Sequence, residues 1–170
     1  LLEVLQYAKH TEFDGSVAIL TNAGGVGVLS SDLCEDNGLD LARPSDKTID
    51  ALKAVLPAEA AFGNPIDVIG DARADRYKAA LKVLCESGEY KNIIVLLTPQ
   101  MVTDATGTAE AIVKVSKEYD SVNVFAVFVG GVIPSIPTKD FSIISTSSIL
   151  EYLNNNSFFF SSLIVMILDK

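Results

Sequence analysis

The segment Asn92–Leu97 reads NIIVLL and offers hardly any polar side chain to water. A strand of that kind has no solvent face, so other elements must cover both of its sides. Two more segments share the character: Ser16–Leu20, with its Val-Ala-Ile-Leu run, and Val122–Val129, VNVFAVFV. Between them the apolar residues fall at helical spacing instead. Buried strands alternating with helices point to an open parallel sheet clothed on both faces, a three-layer α/β/α fold.

Spacing and end signals place the helices. A short helix is expected at Leu1–His10, then a polar turn at Thr11–Gly15. Val26, Leu29, Leu33 and Cys34 predict a helix over Val26–Asn37, with Gly38 where a C-terminal cap glycine stands. A short strand is expected at Leu39–Ala42. The next helix is expected at Asp46–Leu56, N-capped by Ser45, lined by Ile49, Leu52 and Val55, and ended by Pro57. Ala58–Asp71 reads mostly as loop. Asp71 is expected to cap a helix over Ala72–Ser87, with Tyr77, Leu81 and Leu84 on one face, and Asp104–Tyr119 is helical in turn, with Asp104 offered as its cap. The chain divides into an N-terminal helix or linker at 1–14, one domain at 15–140 and a divergent tail at 141–170. Within that tail, Ile149–Leu153 suits a helical turn, Glu151 is the sole charged residue between Phe141 and Leu168, and the rest is open to a final strand and helix, a partner-dependent segment or a divergent tail.

Charge narrows the function classes. Lys and Arg number 13 against 22 Asp and Glu, a net charge of −9. Nucleic acids and anionic membrane surfaces are held by clusters of Lys and Arg, so neither is an expected partner. The longest apolar run, Phe158–Leu168 with two serines, falls short of the roughly 20 residues of a membrane-spanning helix. Cys34 and Cys85 form no CxxC or zinc pattern and read as ordinary thiols of a reducing, cytoplasmic setting. No secretory signal is visible, and no metal site is expected.

In a sheet of this type ligands sit beyond the carboxyl ends of the strands. The stretches that fall there are TNAGG, the GNPID loop, TPQMVTD and VGG, all polar and rich in Gly or Pro. The first is the most informative. Thr21-Asn22-Ala23-Gly24-Gly25-Val26-Gly27 joins a buried strand to a helix. A helix start carries unpaired N–H groups and about half a positive charge, and glycines admit positive φ and let a ligand come close. That combination suits a phosphate or carboxylate. The Lys-Ser/Thr of a P-loop does not follow, and the dinucleotide pattern G-x-G-x-x-G is met only as Gly25, Gly27 and Ser30. The local pattern admits two readings, an anion cradle or a tight turn without a ligand.

The order of segments adds to this. VAILTNAGGVGVLSSDLCEDNGLDLA, then TIDALKAVLPAEAAFGNPIDVIGDARADRYKAAL, then IIVLLTPQMVTDATGTAEAI and FAVFVGG together resemble a known domain over roughly Gly15 to Gly131. It is the last flavodoxin-like domain of the alpha part of ADP-forming acyl-CoA synthetases, relatives of succinyl-CoA synthetase. The resemblance implies an enzyme that interconverts acyl-CoA, ADP and phosphate with a free acid, CoA and ATP. A histidine carries the phosphoryl group, and two helix N-termini from two related domains hold it. The TNAGG turn looks like one of these cradles, which carries phosphate binding to Thr21, Asn22, Ala23, Gly24, Gly25 and Gly27. Family members often have Pro where this chain has Val26, and Val restores an N–H donor.

No catalytic residue is expected in this chain. Its one histidine, His10, lies in YAKHTEF and does not match the family's Ser-His-Thr-Gly segment. By the resemblance, CoA, ATP or ADP, phosphate and Mg belong to the parent enzyme, and none is bound by this piece alone. The expected partners are the CoA-binding, phosphohistidine-bearing and ATP-grasp domains or subunits. Asn64, Asp67 and Asp71 are expected to line the same edge as the turn. Asp67 and Asp71 fit either an acid/base or Mg pair, or a shaped loop with a helix cap. The rival uses are a non-catalytic interaction or dimerisation module, the synthetase-like regulatory region of a protein acetyltransferase, and a free-standing nucleotide or flavin binder.

Overall fold

The computed structural model describes residues 15–129 and the backbone of two later strands. The expected helix at Leu1–His10 with its histidine, the turn at Ile149–Leu153 and the Gly130-Gly131 pair lie outside the described residues. In chain order the elements are β1 (Val17–Thr21), α1 (Gly24–Asp36), α2 (Asp46–Val55), β2 (Ile66–Asp67), α3 (Ala74–Ser87), β3 (Asn92–Leu97), α4 (Ala105–Ser116), β4 (Asn123–Val129), β5 (Ser142–Ile144) and β6 (Leu163–Ile167).

The sheet order is β2-β1-β3-β4-β6-β5. The first four strands are mutually parallel, and β1, β3 and β4 have the apolar character that strands covered on both faces show. From the stretch read as a tail come β6, antiparallel to β4, and β5, antiparallel to β6. The parallel α/β fold therefore carries an antiparallel edge that no periodicity announced.

Alternate residues of each strand serve opposite faces. Ala18, Leu20, Ile93, Val95, Leu97, Ala126 and Phe128 pack with Leu52 of α2, Tyr77, Leu81 and Leu84 of α3, and Ile112 and Val115 of α4. Val17, Ile19, Ile94, Leu96, Phe125 and Val127 form a second core with Cys34 of α1. Each large side chain so buried contributes roughly 1.5–3 kcal/mol before chain entropy is counted. The helix α1 meets the sheet through small residues, Gly27, Ser30 and Cys34. The expected apolar stripe is only partly used: Val26 packs on the second core, whereas Leu29 is 45% exposed.

Helix ends follow local chemistry in two cases and depart from it in one. Ser45 accepts from the Thr48 N–H and Asp104 from the Gly107 N–H, as their positions predict. Asp71 does not cap α3. The N-cap is Arg73, without a side-chain bond, and Asp71 pairs with Arg76 instead.

Two expectations about the β1 edge are corrected. Ile66–Asp67 lies in the stretch read as loop, yet it pairs with Leu20 and Thr21. The strand expected at Leu39–Ala42 does not form. Only one backbone bond, from the Val17 N–H to the Asp40 carbonyl at 2.7 Å, joins it to β1. The Asn64 side chain occupies the space between. Its Oδ1 accepts from the Ile19 N–H at 2.9 Å, and its Nδ2 donates to the carbonyls of Val17 and Ala42 at 2.7 and 3.1 Å.

Candidate functional site

The carboxyl end of β1 runs straight into α1. Thr21 is fully buried, and its Oγ1 accepts the Ala23 N–H at 3.1 Å. Ala23 is extended, with φ −145 and ψ 108, and caps α1 without a side-chain bond. The Gly27 N–H closes the first turn on the Ala23 carbonyl at 3.0 Å. The N–H groups of Gly24, Gly25 and Val26 find no acceptor among the described residues. They are the orphan donors that every helix start leaves, here on an exposed turn.

The turn glycines serve space and not positive φ. The glycines with positive φ among the described residues are Gly15, Gly38 and Gly88. A Cβ on Gly27 would stand 3.0 Å from Thr21 Cγ2 and 3.2 Å from Pro65 Cβ, so Gly27 lets α1 lie close to β1. A Cβ on Gly25 would meet nothing within 4 Å. Gly25 marks an open approach to the turn.

Of the residues expected to line the edge, Asp67 does so most closely. Its Oδ2 lies 3.2 Å from the place of a Gly24 Cβ, and its Oδ1 accepts the Ile69 N–H at 2.8 Å. Ile69 adopts φ 70, a conformation rare for a β-branched residue, at a cost of about 1–3 kcal/mol. The Val68 N–H, bonded to the Thr21 carbonyl at 2.8 Å, and the Arg76 guanidinium, bonded to the Val68 carbonyl at 2.9 Å, hold the loop there. Asp71 turns outward to Arg76, whose hydrogen bond holds its carboxyl below the usual range. The two carboxylates thus have separate partners. Asn64 lies beside Val17 and Ile19, toward the amino end of β1.

Asn22 is 2% exposed, and its amide is engaged with Thr98 beyond β3. Its Nδ2 donates to the Thr98 carbonyl at 2.8 Å, while its Oδ1 accepts from the Thr98 N–H and hydroxyl at 2.8 and 2.9 Å. The fully buried Tyr77 donates its hydroxyl to the Leu96 carbonyl at 2.9 Å. Sequence reasoning placed Tyr77 on an apolar face and gave no role to Thr98. The hint was a hydroxyl on a side chain whose neighbours, Leu81 and Leu84, need none.

The Ligase-CoA domain family model matches residues 17–134. The chain belongs to this family. The matched span begins with β1 and includes both the turn and the Asp67 loop. An ADP-forming acetate–CoA ligase I of Archaeoglobus fulgidus is 41% identical over 112 residues, covering 66% of this chain and 16% of that protein. The alpha subunit of an ADP-forming acetate–CoA ligase II of Pyrococcus furiosus is 38% identical over 118 residues, covering 68% and 26%. A solved structure of the dinucleotide-forming acetyl-coenzyme A synthetase 1 of Ca. Korarchaeum cryptofilum, in complex with phosphate and ADP, superposes with a TM-score of 0.64 at 36% identity. That match covers 68% of this chain and 25% of the synthetase. This family member spans no more than about a quarter of the length of these relatives.

Two further facts bound the chemistry. Among the described residues no three His, Cys, Asp or Glu side chains gather as a metal site. No helix among them is long and apolar enough to cross a membrane.

Proposed function

We propose that this chain is a domain of a cytoplasmic ADP-forming acyl-CoA synthetase, and that its α1 start stabilises a phosphoryl group carried on a histidine of another domain. The carrying observation is the trio of unaccepted N–H groups at Gly24, Gly25 and Val26, on an exposed turn with open space at Gly25. Oriented donors of that kind stabilise charge without reorganising as it develops. Thr21, Asn22 and Gly27 shape this cradle, while Ala23 presents it. The CoA-binding, phosphohistidine-bearing and ATP-grasp parts, with Mg, belong to the rest of the enzyme. The chain alone then forms no acyl-CoA.

Asp67 refines the reading. Its carboxylate beside Gly24 opposes a free phosphate dianion, so the isolated turn holds inorganic phosphate weakly and without a basic cloud. The test is a phosphate titration of the chain followed by amide NMR. Saturable shifts centred on Ala23–Val26 are expected. A well-folded chain with no shift there at high phosphate removes the cradle.

A second reading draws on exposed apolar residues near the same edge. Val28 and Leu29 of α1 are 57% and 45% exposed, and Met101, in the loop after β3, is fully exposed. They favour an interaction module whose turn packs on a neighbour. Under that reading a Gly25→Val variant loses association, and the wild-type turn itself shows no saturable phosphate response.

A further inference from the structure

We propose that Tyr77 and Asn22 are positioning residues for the α1 turn, tying its entry to the end of β3 so that the Gly24–Val26 donors keep one orientation. The inference rests on the anion-cradle reading. Asn22 is the last residue before the cap, and its buried amide joins Thr98 through three hydrogen bonds. The Tyr77 hydroxyl fixes the strand beside that entry. It donates to the Leu96 carbonyl at 2.9 Å, and Leu96 stands opposite Thr21 in the β1–β3 register. One phenol therefore ties the first turn of α3 to β3 at the position paired with Thr21, beside the backbone that enters the cradle.

The chemistry suits a fixed scaffold. Burial, reinforced by the nearby Asp67 charge, pushes the Tyr77 hydroxyl well above its ordinary pKa, so it remains a neutral donor. A phenylalanine would fill the same core beside Leu81 and Leu84, so the hydroxyl adds bonding that packing does not require. Donors aimed at an anion lose value when their backbone reorients, and a buried, fully bonded entry prevents that.

The test compares the full chain with Tyr77→Phe and Thr98→Val, using Tyr90→Phe as control. Tyr90 reaches the Ala42 carbonyl at 3.3 Å, toward the amino end of β1. Amide hydrogen exchange is read at Asn22–Val26, and inorganic phosphate is the titrant. In Tyr77→Phe and Thr98→Val, exchange at Asn22 and Ala23 should quicken about tenfold, and phosphate affinity should fall about tenfold, the worth of one buried hydrogen bond. The control should leave both at wild-type values relative to its global stability. Exchange that rises evenly across the sheet in Tyr77→Phe, as in the control, overturns the proposal. A wild-type chain silent to phosphate whose turn still loosens selectively in Tyr77→Phe upholds the positioning role and sinks the cradle instead.

Discussion

At the scale of single residues, the glycines of the turn separate into two kinds that a sequence pattern lumps together. Gly25 faces open space and lacks positive φ, so an alanine there fits the helix and gains up to about 1 kcal/mol of propensity. On the cradle reading the same methyl obstructs the approach of an anion. We expect Gly25→Ala to raise the urea midpoint slightly while weakening the phosphate response. Gly27→Ala should do the reverse in stability, losing about 1–3 kcal/mol, because its methyl meets Thr21 and Pro65. If equilibrium unfolding finds both variants equally destabilised, the division of roles is wrong. Cys34 illustrates a simpler residue-level outcome. Burial pushes its thiol up to about 11, which leaves it unreactive in the folded chain.

At the scale of elements, the start of α2 is held by more than its cap. The Glu89 carboxylate, beyond the end of α3, accepts from the Ser45 N–H and hydroxyl and from the Thr48 hydroxyl. Desolvation raises its pKa, but these hydrogen bonds and the Lys47 charge outweigh it, and the net shift is downward. A depressed folded-state pKa means stability that is fully present above the unfolded Glu value of about 4.3 and lost as pH falls through the folded value. We expect the urea midpoint to decline below about pH 4.3, with a smaller decline in Glu89→Gln. An unchanged profile in that variant refutes the role of Glu89.

The same scale shows what a sequence discloses. NIIVLL, the Ser45 and Asp104 caps and the Tyr77–Leu81–Leu84 face were legible because each depends on near neighbours in the chain. The strand at Ile66–Asp67 was not, since two residues carry no period. The Leu39–Ala42 strand was expected on local grounds and is displaced by Asn64, which arrives from 22 residues onward. At the site, the turn was legible from its glycines and from the family resemblance. The Asn22–Thr98 clamp and the Tyr77 bond were hidden, because the parallel pairing of β1 with β3 and the packing of α3 on β3 bring together residues separated by 76 and 19 positions.

At the scale of the whole molecule, one flank of the sheet has unusual custody. A bare strand edge offers its N–H and C=O groups to any passing chain. Here the amino half of β1 is met by a side-chain amide from Asn64 and one carbonyl from Asp40. The short β2 is closed in turn by a lone bridge to Ala61. Neither partner continues as a strand, so the ladder ends without leaving a long template for self-association. Asn64→Ala should lower stability by about 1–3 kcal/mol and also reopen that template. Light scattering would then show association that rises with concentration, and a variant that is merely less stable but strictly monomeric would refute it. The asparagine beside Pro65 thus acts as a stopper for the sheet, one amide group standing between a folded domain and an open-ended one.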